Sequence, residues 1–302
     1  MPHDHHHHLS PDAGDRRVAL AVGVNLALTL VQIAGGIVSG SVALIADAVH
    51  NLSDALSLGI AFAARKIARR PSDGTMTFGY GRAEVVAALV NYTTLIVIGL
   101  YLVYEAAFRM IDPPGVDGWL VVIVAGVALA VDLVTALLTL RLSRESVNIR
   151  AAFLHNLADA LGSVAVIAAG SLILLYDWRL VDPLVTLGIA GYILWMAFRE
   201  IGPVIRILML GSPPGLETGE VLAEMEAVAG VESVHHLHLW QFSEHSTSLE
   251  AHVVVAVTEL AAGREIGDRL RAHLADRFGI RHVTLDIESA ETACAEPSRI
   301  GG

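Results

Sequence analysis

The sequence predicts a membrane protein in which six transmembrane α-helices precede a small α+β domain. Of its 302 residues, 54% are hydrophobic, and the mean hydropathy is +0.58. Those values are too apolar for an ordinary soluble protein of this length. Six apolar segments are long enough to cross a bilayer, and an acidic region of amphipathic elements follows them. The chain therefore divides into a membrane part and a soluble part.

Each apolar segment holds about 20 mainly apolar residues, the number that an α-helix needs to cross the hydrocarbon core. The six segments are Val18–Val38, Val42–Ala64, Val85–Phe108, Trp119–Leu140, Ala151–Leu175 and Leu180–Ile207. Short polar turns separate them. Twelve Lys and Arg residues border the segments on one side, and only Arg109 and Arg179 lie on the other. By the positive-inside rule, both termini are expected in the cytoplasm.

The region after Gly215 changes from long apolar runs to short amphipathic elements. The pattern predicts helix, strand, strand, helix and strand at Glu217–Ala229, Val234–Phe242, Leu249–Val257, Arg264–Phe278 and Val283–Glu288. This α-β-β-α-β order is that of a ferredoxin-like domain with its helices on one face of the sheet. Residues 208–302 carry 15 acidic and 6 basic side chains. That charge argues against nucleic acid or anionic lipid as a partner and favours cations.

Two histidines stand out because they are the only ones in the six apolar segments. His50 is followed four residues later by Asp54, and His155 by Asp159, in the second and fifth segments. This spacing places the two side chains of each pair on one helix face. Facing helices would bring together two imidazoles and two carboxylates, a tetrahedral set that suits Zn²⁺. Because imidazole titrates near neutrality, protons and metal would compete for such a site.

A structural explanation of the histidines is the alternative, since buried histidines bond to neighbours and aspartates cap or kink helices. Two motifs that use every histidine of the membrane part favour a binding site instead. Asp47 lies one helical turn before His50 and is a candidate partner of the ligands or a proton relay. A polar residue near the membrane interface would explain Asp47 equally well. Asp132, inside the fourth apolar segment, is expected beside the ion pathway.

The C-terminal region holds the remaining candidates for metal binding. His235 and His252 fall on adjacent predicted strands, and Asp286 or Glu288 on the third. These side chains are candidates for a second metal site. The single cysteine, Cys294, excludes a disulfide framework and a Cys-rich metal site. The sequence has no His-Glu-x-x-His, no phosphate-binding glycine-rich loop and no Gly-x-Ser-x-Gly, so that no enzyme is predicted.

These features resemble the cation diffusion facilitator family of zinc transporters. The resemblance rests on the six spans, on His-x-x-x-Asp in the second and fifth, and on the α+β cytoplasmic region. Three further segments also match the family, at residues 40–48, 77–84 and 234–240. The resemblance covers nearly the whole chain, from about Arg16 to Glu288.

The resemblance implies a homodimer, joined largely through its cytoplasmic domains, in a bacterial inner membrane. It implies export of a divalent metal ion, with Zn²⁺ as the expected cargo, in exchange for protons by alternating access. The implied transport site is His50, Asp54, His155 and Asp159, and histidine at the first of these positions is the family's zinc-type pattern. In the cytoplasmic domain, the implied metal ligands are His235, His252 and Asp286.

Three features depart from the family's pattern. The loop at residues 69–77 has Asp73 but no histidine, so the additional loop metal site of some members is not expected. Arg82 matches a basic residue that pairs, in some members, with an acidic residue after the sixth span. The corresponding position here is Leu210, so that ion pair is not expected either. Asp132 stands where many members have asparagine, a change expected to bear on proton coupling or selectivity.

The predicted organisation has four parts. Residues 1–15 form a His-rich cytoplasmic tail, 16–207 the transmembrane domain, 208–290 the cytoplasmic metal-binding and dimerisation domain, and 291–302 a flexible tail. The polar start has no pattern of a cleavable signal peptide. Its histidines are either native or part of an affinity tag.

Alternatives to zinc export remain open at the level of the sequence. Cobalt, nickel, cadmium or iron is compatible with two nitrogen and two oxygen ligands. A membrane metal sensor would bind the ion without moving it. An intramembrane metalloenzyme would need an open coordination position, which four protein ligands do not leave.

Overall fold

The computed structural model contains six long α-helices followed by an α+β domain, which confirms the predicted fold class. It describes residues 11–140, 147–243, 246–295 and 298–301, and the N-terminal histidines lie outside them. The long helices are α1 (Pro11–Ser39), α2 (Val42–Ala68), α3 (Ala83–Ile111), α4 (Gly118–Leu140), α5 (Val147–Tyr176) and α6 (Val181–Leu208). Within the described ranges, α3 to α6 have the length and composition to cross a membrane.

The chain divides into two compact units that differ from the predicted boundary at residue 207. One unit comprises Met1–Ile60 and Val90–Arg199, and the other comprises Ala61–Leu89 and Glu200–Gly302. The second unit therefore combines the α+β domain with the end of α2, the loop that follows it, the start of α3 and the end of α6.

Helix α2 is central to the first unit because it contributes to both of the unit's apolar clusters. Its residue Ala46 packs with Leu102 of α3 and Ile193 of α6. Its residue Leu44 packs in a second cluster with Val121 of α4. Alanines in this part of α2 allow the neighbouring helices to approach closely, as small residues do in membrane helix bundles. The packing fixes the orientation of the polar side chains that α2 carries.

Asp182 of α6 caps the N-terminus of α2. Its carboxylate is 1% exposed and accepts hydrogen bonds from the Val42 N–H, at 2.9 Å, and from the Ser41 hydroxyl. The first N–H groups of a helix have no partner within the helix, and the helix dipole favours a negative charge there. This cap was not predicted from the sequence, since Asp182 lies 140 residues from Val42.

We expect Asp182→Asn to lower the free energy of unfolding by about 1–3 kcal/mol, the usual cost of a buried hydrogen-bonding group without its partner. An asparagine has one acceptor oxygen, so either the Val42 N–H or the Ser41 hydroxyl would face an NH₂ group. Thermal unfolding of the full chain in detergent measures the loss. Asp112→Asn, the same change at an exposed position, is the control. Equal midpoints for the two variants would contradict the capping role.

The α+β domain follows the predicted α-β-β-α-β order. Its elements are α7 (Thr218–Glu226), β1 (Val231–Ser243), β2 (Ser246–Val255), α8 (Leu260–Phe278) and β3 (His282–Ser289). The sheet order is β1-β2-β3, with β1 antiparallel and β3 parallel to β2. A parallel pair needs a crossover connection, and α8 provides it. Met225 of α7 and Leu270 of α8 pack against Leu249 and Val253 of β2, so the helices cover one sheet face.

Strand β1 contains a bulge at its histidines. Its pairing with β2 is shifted between His235 and His238, and His236 has a φ of +49°. Val234 and Leu237 are three residues apart, yet both belong to the core under the helices. The extra residue lets the rings of both His235 and His236 lie beside His252. Bulges commonly re-aim side chains at functional sites in this way.

The segment after β3 returns to the edge of β1. The carbonyls of Ser298 and Arg299 accept hydrogen bonds from the N–H groups of His236 and Leu237. The sequence predicted a flexible tail here, whereas these residues are bonded to the sheet. The physical reason is that β1 is an edge strand of the sheet that the described residues form, so the N–H groups on its outer side are available to the returning segment.

Arg82 contacts the β1–β2 hairpin within the second unit. Its guanidinium lies 5.3 Å from the centre of the Phe242 ring, and its Nε donates to the Phe242 carbonyl at 3.4 Å. Leu210, the position expected to correspond to the family's acidic partner, is exposed. A cation–π contact and a backbone hydrogen bond thus engage Arg82 in this chain.

Asp73 organises the loop between α2 and α3. Its carboxylate accepts hydrogen bonds from the Thr75 hydroxyl and N–H and from the Tyr80 hydroxyl. The bonds from the Thr75 and Tyr80 side chains, with those from backbone N–H groups, hold the pKa of Asp73 well below its usual range. Its role in this structure is to close the loop.

Candidate metal centres

The two His-x-x-x-Asp helices face each other at their motifs. His50 of α2 and Asp159 of α5 are 7% and 8% exposed, and His50 Nε2 lies 3.5 Å from Asp159 Oδ1. The side chains of Asp54 and His155 lie outside the part of the structure that is described. Half of the predicted four-residue set is therefore observed in contact, from two helices more than 100 residues apart in the chain.

A cavity of about 510 Å³ lies beside this pair, between α2, α5 and α6. Its wall includes Asp47, His50, Asp159, Gly162, Gly188 and Tyr192. The Tyr192 ring meets the His50 ring edge to face, with centroids 5.9 Å apart. The sequence analysis missed Tyr192, because only the packing of α6 against α2 brings it to the site. The cavity is large enough to hold an ion beside these side chains.

Buried polar side chains connect Asp47 to Asp132. The Ser163 hydroxyl lies 3.4 Å from Asp47 Oδ2 and 3.4 Å from Asp132 Oδ2. Gln32 Nε2 donates to Asp47 Oδ2 at 2.8 Å. The structure thus brings together the two aspartates that the sequence singled out separately. The single hydroxyl hydrogen of Ser163 can be donated to only one of the two carboxylates at a time.

The predicted cytoplasmic ligands form one row across the sheet. His235 of β1 pairs with His252 of β2, and His252 pairs with Asp286 of β3. Asp286 is exposed at the end of this row. Glu288, two residues further along the same face, is buried and approaches both histidines, with Oε1 2.7 Å from His252 Nδ1 and Oε2 3.3 Å from His235 Nε2.

Cys294 joins this group from the segment after β3. His235, His252, Glu288 and Cys294 each offer a ligand atom, and these four atoms all lie within 4.8 Å of one another. Burial raises the pKa of the Cys294 thiol, and the negative charges of Glu288 and Asp286 raise it further. A raised pKa keeps the thiol protonated at neutral pH. The sequence pointed to the two histidines and to Glu288 as an alternative to Asp286, but gave no sign of Cys294.

A buried histidine–aspartate pair beside a cavity in a bundle of apolar helices defines an integral membrane protein that handles a cation. The α+β domain adds a second group of side chains that could hold a metal ion. Both features indicate one class of protein, a metal-ion transporter with an additional α+β domain.

Comparison with known families identifies the class more closely. Residues 18–209 match the cation efflux transmembrane domain, and residues 213–290 match the cytoplasmic domain of cation efflux proteins. The chain belongs to this family of cation efflux transporters and is not an enzyme. This confirms the resemblance to the cation diffusion facilitators.

Three relatives are similar over almost their whole length. The metal cation efflux system protein CzcD of Cupriavidus metallidurans is 33% identical over 294 residues, covering 97% of this chain and 93% of the relative. The cadmium, cobalt and zinc/H⁺-K⁺ antiporter of Bacillus velezensis is 32% identical over 294 residues, with coverage of 96% and 93%. The zinc transporter ZitB of Escherichia coli is 34% identical over 294 residues, with coverage of 95% and 93%.

Proposed function

We propose that this protein exports Zn²⁺ from the cytoplasm in exchange for protons, at a site formed by His50, Asp54, His155 and Asp159. The observation that carries the proposal is the buried contact between His50 and Asp159 on the wall of the cavity. Asp54 and His155 complete the set through their spacing of four residues from these two positions. Two carboxylates neutralise a divalent ion where an uncompensated charge would be costly.

Zinc is the cargo that the ligand set favours. Two imidazole nitrogens with two carboxylate oxygens suit a tetrahedral, borderline-soft ion better than Mg²⁺ or Ca²⁺. The name of one relative specifies zinc alone, and that of another specifies cadmium, cobalt and zinc. Cobalt and cadmium are therefore the alternative cargoes to be measured first, followed by nickel and iron.

Proton exchange follows from the chemistry of the same ligands. A histidine that binds metal must be neutral, so protonation of His50 and His155 expels the ion. We infer that Asp47, Ser163 and Asp132 form the route by which protons reach the site, since Ser163 lies within 3.4 Å of both carboxylates. Asp132 thus extends the site beyond its four ligands.

The assembly and its orientation are proposed on sequence grounds. The excess of basic residues on one side of the spans places both termini in the cytoplasm. The resemblance to cation diffusion facilitators supports a homodimer in the inner membrane of a bacterium. In each cytoplasmic domain, His235 and His252 bind a metal ion with a carboxylate of β3, Asp286 or Glu288, and this ion regulates transport.

Zinc flux into proteoliposomes tests the proposal. Vesicles with an acidic lumen, an internal Zn²⁺ indicator and external Zn²⁺ should accumulate zinc while their lumen becomes more alkaline. Protein-free vesicles under the same gradient give the background. A membrane sensor would bind Zn²⁺ without flux in any gradient, and that result would overturn the transport function.

Gly162→Ala is expected to reduce zinc flux by about 10–100-fold, the usual effect of disturbing a partner of metal ligands. A Cβ atom at Gly162 would lie 2.9 Å from Asp47 Oδ1, so the carboxylate must move from its position beside Ser163. Gly188→Ala is the matched control, because Gly188 lines the same cavity and its added Cβ would lie more than 4 Å from every described neighbour. Equal flux in both variants would exclude a role for the Asp47 position.

A further inference from the structure

The segment after β3 folds back over the cytoplasmic histidines. The N–H groups of Thr292 and Ala293 both donate to the Ser289 carbonyl at 3.0 Å, and the Thr292 hydroxyl accepts from the Ser289 N–H at 2.9 Å. This turn directly follows β3 and brings Cys294 back toward Glu288. The Cys294 Sγ lies 3.7 Å from Glu288 Oε1 and 3.8 Å from His252 Nδ1.

Three distances in this group match those around a tetrahedral metal ion, whereas His252 Nδ1 and Glu288 Oε1, which lie 2.7 Å apart, would have to separate around an ion. With metal–ligand bonds of about 2.0–2.3 Å, neighbouring ligand atoms in a tetrahedron lie about 3.3–3.8 Å apart. His235 Nε2 and Glu288 Oε2 are 3.3 Å apart, and Cys294 Sγ is at 3.7 and 3.8 Å from its two neighbours. Two nitrogens, one oxygen and one sulfur form a ligand set that suits Zn²⁺ and Co²⁺.

Two buried atoms of the group also lack hydrogen bonds. His235 Nε2 and Glu288 Oε2 have no hydrogen-bond partner among the described residues, although their residues are only 3% and 8% exposed. A buried polar atom without a partner costs about 1–3 kcal/mol. A metal ion at the centre of the group would satisfy both atoms at once.

Beyond Cys294 the chain reaches β1 and is held there. In addition to the bonds that Ser298 and Arg299 accept, the Gly301 N–H donates to the Leu237 carbonyl at 3.3 Å. The Arg299 guanidinium donates to both carboxylate oxygens of Glu226 in α7, at 2.6 and 2.7 Å. These contacts attach to the same bulge that positions His235, so the metal ligands and the tail share one structural element.

We propose that Cys294 is a ligand of the cytoplasmic metal ion and that metal binding thereby fastens the described tail, residues 291–295 and 298–301, to β1. This rests on the proposed function, in which His235 and His252 bind metal. The tail is a strap: the ion joins it to the sheet at Cys294, and the β1 bulge holds its far end. An ion that binds only the fastened state suppresses opening by the factor 1 + [metal]/Kd. A rise in cytoplasmic metal concentration would thus order the tail along β1.

The full-length protein titrated with Co²⁺ tests the ligand. Cys294 is the only cysteine, and the transport site has no sulfur, so a thiolate-to-cobalt charge-transfer absorption reports on Cys294 alone. We expect this absorption in the native sequence and its complete loss in Cys294→Ser. His252→Ala should shift its appearance to at least about 10-fold higher Co²⁺ concentration, because a ligand of the same ion is removed.

Hydrogen exchange followed by mass spectrometry tests the strap. At a metal concentration 100 times Kd, the amides of His236, Leu237 and Gly301 should exchange up to about 100-fold more slowly than without metal. Cys294→Ser should show no such slowing. Peptides from α4, which belongs to the other compact unit, serve as the internal reference.

The outcomes separate this inference from the function on which it rests. Cobalt bound in this domain without thiolate absorption would overturn Cys294 as a ligand and leave the cytoplasmic site in place. Thiolate absorption without slower exchange would overturn the strap. Cobalt binding that is unchanged by His252→Ala would instead overturn the proposed cytoplasmic site itself.

Discussion

Asp159→Ala is expected to abolish proton-driven zinc uptake and to weaken zinc binding at the transport site by at least about 100-fold. Loss of a residue that only orients a metal ligand already costs about 10–100-fold, and Asp159 is proposed as a ligand itself. The alanine also removes a negative charge from an apolar environment, which cannot itself compensate the positive charge of the metal ion. His50, 3.5 Å away, would keep its position but lose its acidic neighbour.

Calorimetric zinc titration and vesicle flux, each on the full chain, measure the two losses. The binding isotherm should retain the component of the cytoplasmic domain and lose that of the transport site. Asp112→Ala, which removes a carboxylate from an exposed loop, is the control and should behave as the native sequence does. Asp54→Ala should reproduce the Asp159→Ala result. Native-like zinc uptake by either variant would overturn the four-ligand site.

The helices and strands were accessible from the sequence because their signals are local. Apolar runs of about 20 residues and the two-residue alternation of strands depend only on neighbouring positions in the chain. For example, α4 (Gly118–Leu140) starts only one residue before the predicted start at Trp119. The facing of α2 and α5 was also predictable, since two polar motifs in apolar helices must shield each other. The contact between His50 and Asp159 agrees with that expectation.

The residues that escaped prediction depend on contacts between distant parts of the chain. In the sequence, Asp182 has the pattern of an ordinary residue at the start of a helix. It caps α2 only because α6 packs against that helix. Tyr192 reads as one more residue of an apolar span. Cys294 follows the last predicted strand, in a segment without hydrophobic periodicity. Its contact with Glu288 depends on a single turn that the sequence pattern does not predict. The alternation of apolar and polar residues along β1 likewise does not predict the bulge at His236.

His50→Asp is expected to change the cargo rather than abolish transport. The substitution replaces a borderline-soft nitrogen with a hard carboxylate oxygen and leaves one nitrogen and three oxygens around the ion. Harder ions such as Mn²⁺ prefer that set, whereas Zn²⁺ loses an imidazole ligand. We expect the ratio of manganese to zinc transport to rise at least about 10-fold, which corresponds to about 1.4 kcal/mol.

A metal competition panel on the purified protein measures this change, with Zn²⁺, Co²⁺, Cd²⁺ and Mn²⁺ offered together to vesicles. His238→Asp is the matched control, because it makes the same substitution at an exposed position of β1 and should leave the order of cargoes unchanged. The His50→Asp substitution also removes an imidazole, the side chain that titrates near neutrality. The remaining transport should therefore depend less on pH between 6 and 8. An unaltered cargo order with unaltered pH dependence would show that His50 does not select the ion. The buried contact with Asp159 would then be structural, and the polar group of Asp47, Ser163 and Asp132 would become the first place to look for selectivity.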